Sequence, residues 1–335
     1  MDEKERLLKV FKNEEVDRVP VICPGGMMNA AITDILDQVL VNHNVEVMDM
    51  VNTARKIREE IGFENYGVPF CMTCEAEPLS KSIDEGDMYC EPRIMEYNDL
   101  PLREIMKSKI NPQKDGRMPV VLEAIRRLKN DQVPVIGNIT GPISTATSIV
   151  DPLRLLKMLR KQSDLAYEFI HYVNDFIIAY AIEMERAGAD VIAVSDPTAT
   201  GEILGKNNFE KFALPMYKEL ISQMNRRGTP VILHICGNAT TILESLDTLD
   251  VAALSFDSIV NMRLAKSKIH TKLMGNISTQ LLQNGPQDRI LRLTENALNS
   301  GVDILSPACG LDMSTPIENL KSMTAFAKEQ QVWGH

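Results

Sequence analysis

The sequence places a histidine and a cysteine two residues apart, in His234-Ile235-Cys236-Gly237, directly after the apolar run Val231-Ile232-Leu233. A second cysteine, Cys309, closes another such run, Asp303-Ile304-Leu305-Ser306-Pro307-Ala308. Side chains two apart on a strand share a face, so His234 and Cys236 can grip one ion without distorting the backbone. One imidazole and two thiols form a set suited to zinc, and three protein ligands leave a fourth position open, the pattern of catalytic rather than structural zinc. The same residues also permit a plainer arrangement. His234 and Cys236 would then be strand-end residues and Cys309 a small buried hydrophobe, a frequent fate of free cysteine.

The elements that must position these groups follow a rhythm of short apolar strand, polar tip, then helix. Val133 to Ile136 runs into Asn138, Val191 to Val194 into Ser195-Asp196-Pro197, and Val231 to Leu233 into His234 and Cys236. Val251 to Leu254 runs into Asp257, Lys272-Leu273-Met274 into Asn276, and Ile304-Leu305 into Cys309. Between them lie helical periodicities at 163–187, 207–226 and 285–300, stopping at or near Gly188, Gly228 and Gly301. Such alternation calls for a parallel sheet, and the number of units favours a closed (β/α)8 TIM barrel over an open doubly wound sheet. No G-x-G-x-x-G follows an early strand, which removes the main signature of the open rival. In a barrel, chemistry gathers at the C-terminal strand ends, where Asn138, Asp196, His234, Cys236, Asp257, Asn276 and Cys309 all fall. Asp196 and Asn276 would serve equally well as helix caps. The acidic, Pro-containing region 62–117 fits the rhythm poorly and reads as an insertion or lid. The chain therefore reads as one barrel domain over 1–335, with an N-terminal extension that opens on an amphipathic stretch (Leu7, Leu8, Val10, Phe11).

With 335 residues, 44% of them hydrophobic, the chain can bury a large core. Its net charge of −10 is spread along the sequence, which argues against nucleic acid or an anionic membrane as partner. No stretch reaches the roughly 18 apolar residues of a membrane span, and the start, Met1-Asp2-Glu3-Lys4-Glu5-Arg6, lacks an apolar signal region. Six cysteines are too few for a disulfide scaffold in this length and indicate reduced thiols in a cytoplasmic setting. Cys71-Met72-Thr73-Cys74 is a C-x-x-C without a second pair, hence a pair of loop or core cysteines or a redox pair. Cys23 and Cys90 read as structural, and His43, His171, His270 and His335 have no ligand-like company.

Asp17-Arg18-Val19-Pro20-Val21, Pro69-Phe70-Cys71-Met72-Thr73 with Glu75-Ala76-Glu77, Ser195-Asp196-Pro197, His234-Ile235-Cys236-Gly237, Gly275-Asn276-Ile277 and Cys309-Gly310 together resemble the uroporphyrinogen decarboxylase superfamily. Within it they resemble the branch of methylcobamide:coenzyme M methyltransferases, over nearly the whole chain. The most specific element is the H-x-C with its distant Cys, which in that branch binds catalytic zinc. Decarboxylases proper carry an arginine-containing R-Q-A-G-R segment where this chain has Pro24-Gly25-Gly26-Met27-Met28. A polycarboxylate substrate needs cations at its carboxylates, and that segment offers none.

The resemblance implies methyl transfer from a corrinoid to a thiol such as coenzyme M. A free thiol has a pKa of roughly 8.5 and is largely un-ionised at neutral pH, whereas coordination to Zn²⁺ deprotonates it. The methylcobamide would be presented by a separate corrinoid protein, since the chain has no D-x-H-x-x-G segment of a base-off corrinoid domain. His234, Cys236 and Cys309 would hold the metal, with the second imidazole nitrogen fixed by an acceptor that the sequence does not identify. Asp257 would sit beside them, as a fourth ligand that yields to the thiol and takes its proton, or else as the cap of a helix near 259–265. Asn138, Asp196, Asn276, Glu75 and Glu77 are candidates for substrate binding, the two glutamates alternating on a presumed strand. Two other classes remain open: a metal-free decarboxylase-type lyase and a non-catalytic zinc- or corrinoid-binding protein.

Overall fold

The computed structural model describes residues 1–24, 45–86 and 91–330. The segment Pro24–Met28 apart from Pro24, and likewise His43, Cys90 and His335, lie outside the described residues. Seven parallel strands form one sheet in the order β1 (Tyr66–Val68), β4 (Val135–Thr140), β5 (Val191–Ser195), β6 (Val231–Ile235), β7 (Ala253–Phe256), β8 (Lys272–Ile277) and β9 (Ile304–Pro307). A separate antiparallel ribbon pairs β2 (Ser82–Asp84) with β3 (Arg93–Glu96). Every residue of β4, β6, β7 and β9 is buried, as expected of parallel strands covered on both faces.

Both edges of the sheet meet the same short segment. The amide of Ile22 donates to Leu305 O (3.0 Å) and that of Leu305 to Pro20 O (2.9 Å), while the amide of Glu64 donates to Val21 O (2.8 Å). Asn65 secures Cys23 by bonds in both directions, each 2.9 Å. Pro20–Cys23 thus lies between β9 and the residues that lead into β1, which requires the seven strands to curl. An ionic cluster clamps the segment. The buried carboxylate of Glu64 accepts from Arg6 Nη1 (2.9 Å), Arg18 Nη1 (2.8 Å) and the amide of Val21 (2.9 Å). Arg6 comes from the first helix, α1 (Glu3–Phe11), whose N-cap is Asp2 and which buries Leu7 and Val10.

Six strands anticipated from the sequence lie where expected, within a few residues at their ends. The helix expected over 163–187 is found at Ser163–Ala187, ended by Gly188 at φ +116°. The single helix expected over 207–226 is instead interrupted: a π-helical turn at Phe209–Ala213 precedes the regular helix Leu214–Asn225. The stretch 62–117, expected as an insertion or lid, contributes β1 to the main sheet, paired with β4 through Tyr66↔Val135 to Val68↔Gly137. Among the described residues no helix is long and apolar enough to cross a membrane.

Candidate metal centre

Strand register brings the central residues together. His234 on β6 lies opposite Ser195 on β5 and Ser255 on β7. Ser255 is fully buried, and its hydroxyl is 3.0 Å from His234 Nδ1. His234 Nε2 is buried with no hydrogen-bond partner. It is therefore the nitrogen left for a ligand, and a buried polar atom without a partner is costly. Its neighbours are the sulfurs: one donor atom each from His234, Cys236 and Cys309 lie within 4.8 Å of one another. The two Sγ atoms are 3.2 Å apart. Their proximity splits their acidities. Accepting a hydrogen bond from the Cys236 thiol draws Cys309 down to about 4 against the opposing effect of burial, with His234 assisting. The same contact, together with burial and Asp257, pushes Cys236 upward.

Asp257 stands beside this set. Its Oδ2 is 3.5 Å from Cys236 Sγ and accepts from the amide of Gly237 at 3.2 Å, while Oδ1 accepts from the amide of Ile259 at 3.2 Å. Burial would raise its pKa, but these amides outweigh burial and hold it below the ordinary carboxylate value. The helix after β7 runs Met262–Lys268 and is capped by Asn261, which accepts from the amide of Leu264 at 3.0 Å. Asp257 is not that helix's N-cap; it closes a tight turn five residues before the helix begins. Gly237 adopts φ +66°, a left-handed conformation that favours glycine and turns its amide toward Asp257.

The remaining expected residues fall into separate places. Asn276 donates through Nδ2 to Asp257 O (3.0 Å) and Val260 O (2.9 Å), fixing the loop that carries Asp257. Asp196 is fully buried and caps the helix Pro142–Ile149 from outside, accepting from the amides of Ile143 (3.1 Å) and Ser144 (2.8 Å), Ser144 Oγ (2.6 Å) and Tyr217 Oη (2.8 Å). Gly141 starts that helix because an added Cβ would lie 2.4 Å from Asp196 Oδ2. Asn138 is buried and donates to Pro69 O at 3.3 Å.

Glu75 and Glu77 do not alternate on a strand. β1 ends at Val68, Glu75 lies in a turn, and Glu77 opens a short 3-10 helix with Pro78. Glu75 is buried, accepts from the amide of Thr140 at 3.0 Å, and is pushed up to about 8 by burial. Glu77 is ion-paired with Arg117.

Sequence reasoning did not find Ser255, Asn261 or Arg117. Ser255 had a usable signal, since it sits at the tip of the strand after the one that bears His234. Arg117 had none, because its contacts join positions far apart in the chain.

The match to known proteins decides the relationship. The family model described as "Uroporphyrinogen decarboxylase (URO-D)" matches residues 2–330. The chain belongs to the uroporphyrinogen decarboxylase family. Within that family it is 31% identical over 330 residues to "Methylcobamide:CoM methyltransferase MtbA" of Methanosarcina acetivorans, covering 97% of each protein. It is 29% identical over 341 residues to "Methylcobamide:CoM methyltransferase MtaA" of Methanosarcina barkeri, again covering 97% of each. A solved structure titled "methyltransferase from Methanosarcina mazei" superimposes with a TM-score of 0.88 at 30% identity, over 98% of this chain and 99% of that one. These relatives place the chain in the methyltransferase branch of the family.

Proposed function

We propose that this protein is a zinc-dependent methyltransferase that moves a methyl group from a methylated corrinoid, carried by a partner protein in the cytoplasm, to a thiol such as coenzyme M. The names of its relatives support the donor and acceptor classes. The observation that carries the metal is the buried His234 Nε2, which lacks a hydrogen-bond partner, on an imidazole that offers a ring nitrogen within 4.8 Å of two thiols. This donor set, one imidazole and two sulfurs, fits Zn²⁺ with an open position. A metal-free lyase would have no use for such a convergence.

Bound there, Zn²⁺ would supply the Lewis acidity that ionises a thiol ligand at neutral pH. The residues of the chain supply the rest. Ser255 holds Nδ1 and so fixes the imidazole orientation. As metal-bound thiolates, Cys236 and Cys309 would place two negative charges beside the acceptor sulfur, which favours retention of its electron density. Asp257 Oδ2, steadied by Gly237 N–H and backed by Asn276, is positioned to receive the proton that the acceptor thiol gives up. The segment Pro20–Cys23 would complete a (β/α)8 barrel as its eighth member, with the metal centre at the C-terminal strand ends.

Metal analysis and a coupled assay test the reading. Purified protein should hold about one zinc per chain and transfer methyl groups from methylcobalamin to a thiol. Thiol binding should release a proton, detected by titration calorimetry in buffers of differing ionisation enthalpy. Zinc-free protein with full activity would overturn the metal assignment, and zinc-loaded protein inert toward every methylated corrinoid would overturn the transferase assignment.

A further inference from the structure

Cys71 and Cys74 lie outside the centre described above, in the turn that follows β1, with their sulfurs 3.6 Å apart. Both are buried, but not equivalently: Cys71 keeps 3% exposure and Cys74 none. A guanidinium lies within hydrogen-bond reach of Cys71 and also acts on Cys74 by its charge. Arg117 Nη2 reaches Cys71 Sγ at 3.4 Å and Thr73 Oγ1 at 2.7 Å, while Arg117 Nε is anchored on Glu77 Oε1 at 2.6 Å. Thr73 Oγ1 adds a second donor 3.7 Å from Cys71 Sγ. Buried structural cysteines in apolar surroundings are inert, whereas a thiol beside a fixed cation reacts as thiolate.

Cys23 shows the contrast within the same chain. It is buried, its sulfur lies 3.8 Å from Pro24 O, and burial pushes its pKa far up. For Cys71, the proton shared from Cys74 and the charge of Arg117 outweigh burial and Glu77, drawing it down to about 5.

We infer that Cys71 and Cys74 form a peroxide-reactive dithiol, with Cys71 as the attacking sulfur and Cys74 as the resolving one. The Cys71 thiolate attacks one oxygen of hydrogen peroxide. An S–O bond forms, the O–O bond breaks, and hydroxide leaves to be protonated to water. The Cys74 sulfur then attacks the Cys71 sulfenic acid. The S–S bond forms, the S–O bond breaks, and the departing hydroxide takes the Cys74 proton as a second water. The two sulfurs together lose two electrons, and the peroxide oxygens gain them. A disulfide bond is roughly 2.0 Å long, so oxidation must draw the two sulfurs together from 3.6 Å. The turn that carries the pair also carries Glu75, bonded to the amide of Thr140, and Glu77, bonded to Arg117. Oxidation therefore acts where β1 and β4 deliver their loops.

Tryptic peptide 59–81 contains both thiols and no other cysteine. The reduced, full-length protein should be titrated with hydrogen peroxide, quenched with N-ethylmaleimide in denaturant, digested and weighed. The expected product is peptide 59–81 two hydrogens lighter and without either maleimide, restored to the doubly labelled form by dithiothreitol. Labelling at both positions should fall together, at least about tenfold faster than at Cys23, as their difference in thiolate character implies. Oxidation of Met72 would add an oxygen and is distinguishable. In a Cys74→Ser variant, Cys71 should accumulate as a sulfenic acid that dimedone captures. The inference is overturned if peptide 59–81 stays doubly labelled while Cys236 and Cys309 are consumed, or if Cys71 is oxidised with Cys74 still labelled.

Discussion

Ser255 holds the Nδ1 edge of His234 at 3.0 Å, and both residues occupy the same register position on neighbouring strands. This contact engages Nδ1 and leaves Nε2 as the nitrogen without a hydrogen-bond partner. A metal-binding imidazole needs its other nitrogen fixed, and loss of such a partner typically costs 10–100-fold in metal affinity. Ser255→Ala should therefore weaken zinc binding by roughly that factor, measured by competition with a chromophoric chelator, while circular dichroism stays unchanged. Wild-type affinity in this variant would remove Ser255 from the site.

The two sulfurs should respond alike to serine replacement. An alcohol is not ionised at neutral pH as a metal-bound thiol is, so Cys236→Ser and Cys309→Ser should each release most of the zinc. Atomic emission on gel-filtered protein reads the stoichiometry. Full occupancy in both variants would show that the ligands lie elsewhere.

Asp257→Asn separates proton transfer from architecture. Asparagine retains a carbonyl oxygen for the amides of Ile259 or Gly237, so the turn should persist and the melting temperature should change little. The proton acceptor is lost, however, and general-base contributions are commonly about 10²–10⁴-fold. A fall in kcat of that order with zinc still bound supports the role of Asp257 proposed here. Unchanged kcat across the pH range would leave it a turn residue alone.

The convergence of His234, Cys236 and Cys309 was legible in the sequence because two local rules meet on it. Alternation along a strand puts His234 and Cys236 on one face, and the strand-tip rule places Cys309 at the same end of the sheet. Lateral relationships were less accessible. Ser255 meets His234 only through register, and the contacts of Arg117 with Cys71, Thr73 and Glu77 span a loop whose path sequence does not give. Local polar chemistry also misled. Asp257 and Asn261 are both good cap residues, and the structure chooses Asn261 because the chain first makes a tight turn at Asp257. Glu75 and Glu77 have strand-like spacing, yet the chain leaves the sheet at Val68, and Pro78 favours the short helix that follows. In the helix expected over 207–226, a π-turn shifts the pattern by one residue, too little to disturb a count of apolar positions.

Glu75 gives a pH signature of folding. Its folded-state value of about 8 lies above its ordinary 4.5 because burial penalises the carboxylate. Between those values the folded protein holds a proton that the unfolded chain has lost. Stability should therefore fall as pH rises through this window, by up to about 1.4 kcal/mol per pH unit from this group. Below the lower value both states are protonated and the contribution is flat. Glu75→Gln keeps a carbonyl acceptor for Thr140 N–H and should remove that component of the slope. Urea unfolding at several pH values, for wild type and variant side by side, makes the comparison; identical slopes would mean that Glu75 is not the buried acid described.

Glu64 is the clearest structural target, because one buried carboxylate binds Arg6, Arg18 and the amide of Val21. Glu64→Gln keeps the shape and one acceptor oxygen but leaves two guanidinium groups without their shared anion. Breaking a buried ion pair from one side typically costs about 3–5 kcal/mol. Here Asp17, which accepts from Arg6 Nε at 2.6 Å, offsets part of that cost. The loss should be local before it is global. The clamped segment Pro20–Cys23 joins β9 to the residues before β1, so its amides should open first. Hydrogen exchange at Ile22 and Leu305, whose amides bond across that junction, should accelerate more than exchange at the centre of β5 or β6. Equal acceleration throughout the sheet would show that Glu64 supports the fold as a whole and does not specifically hold this junction closed.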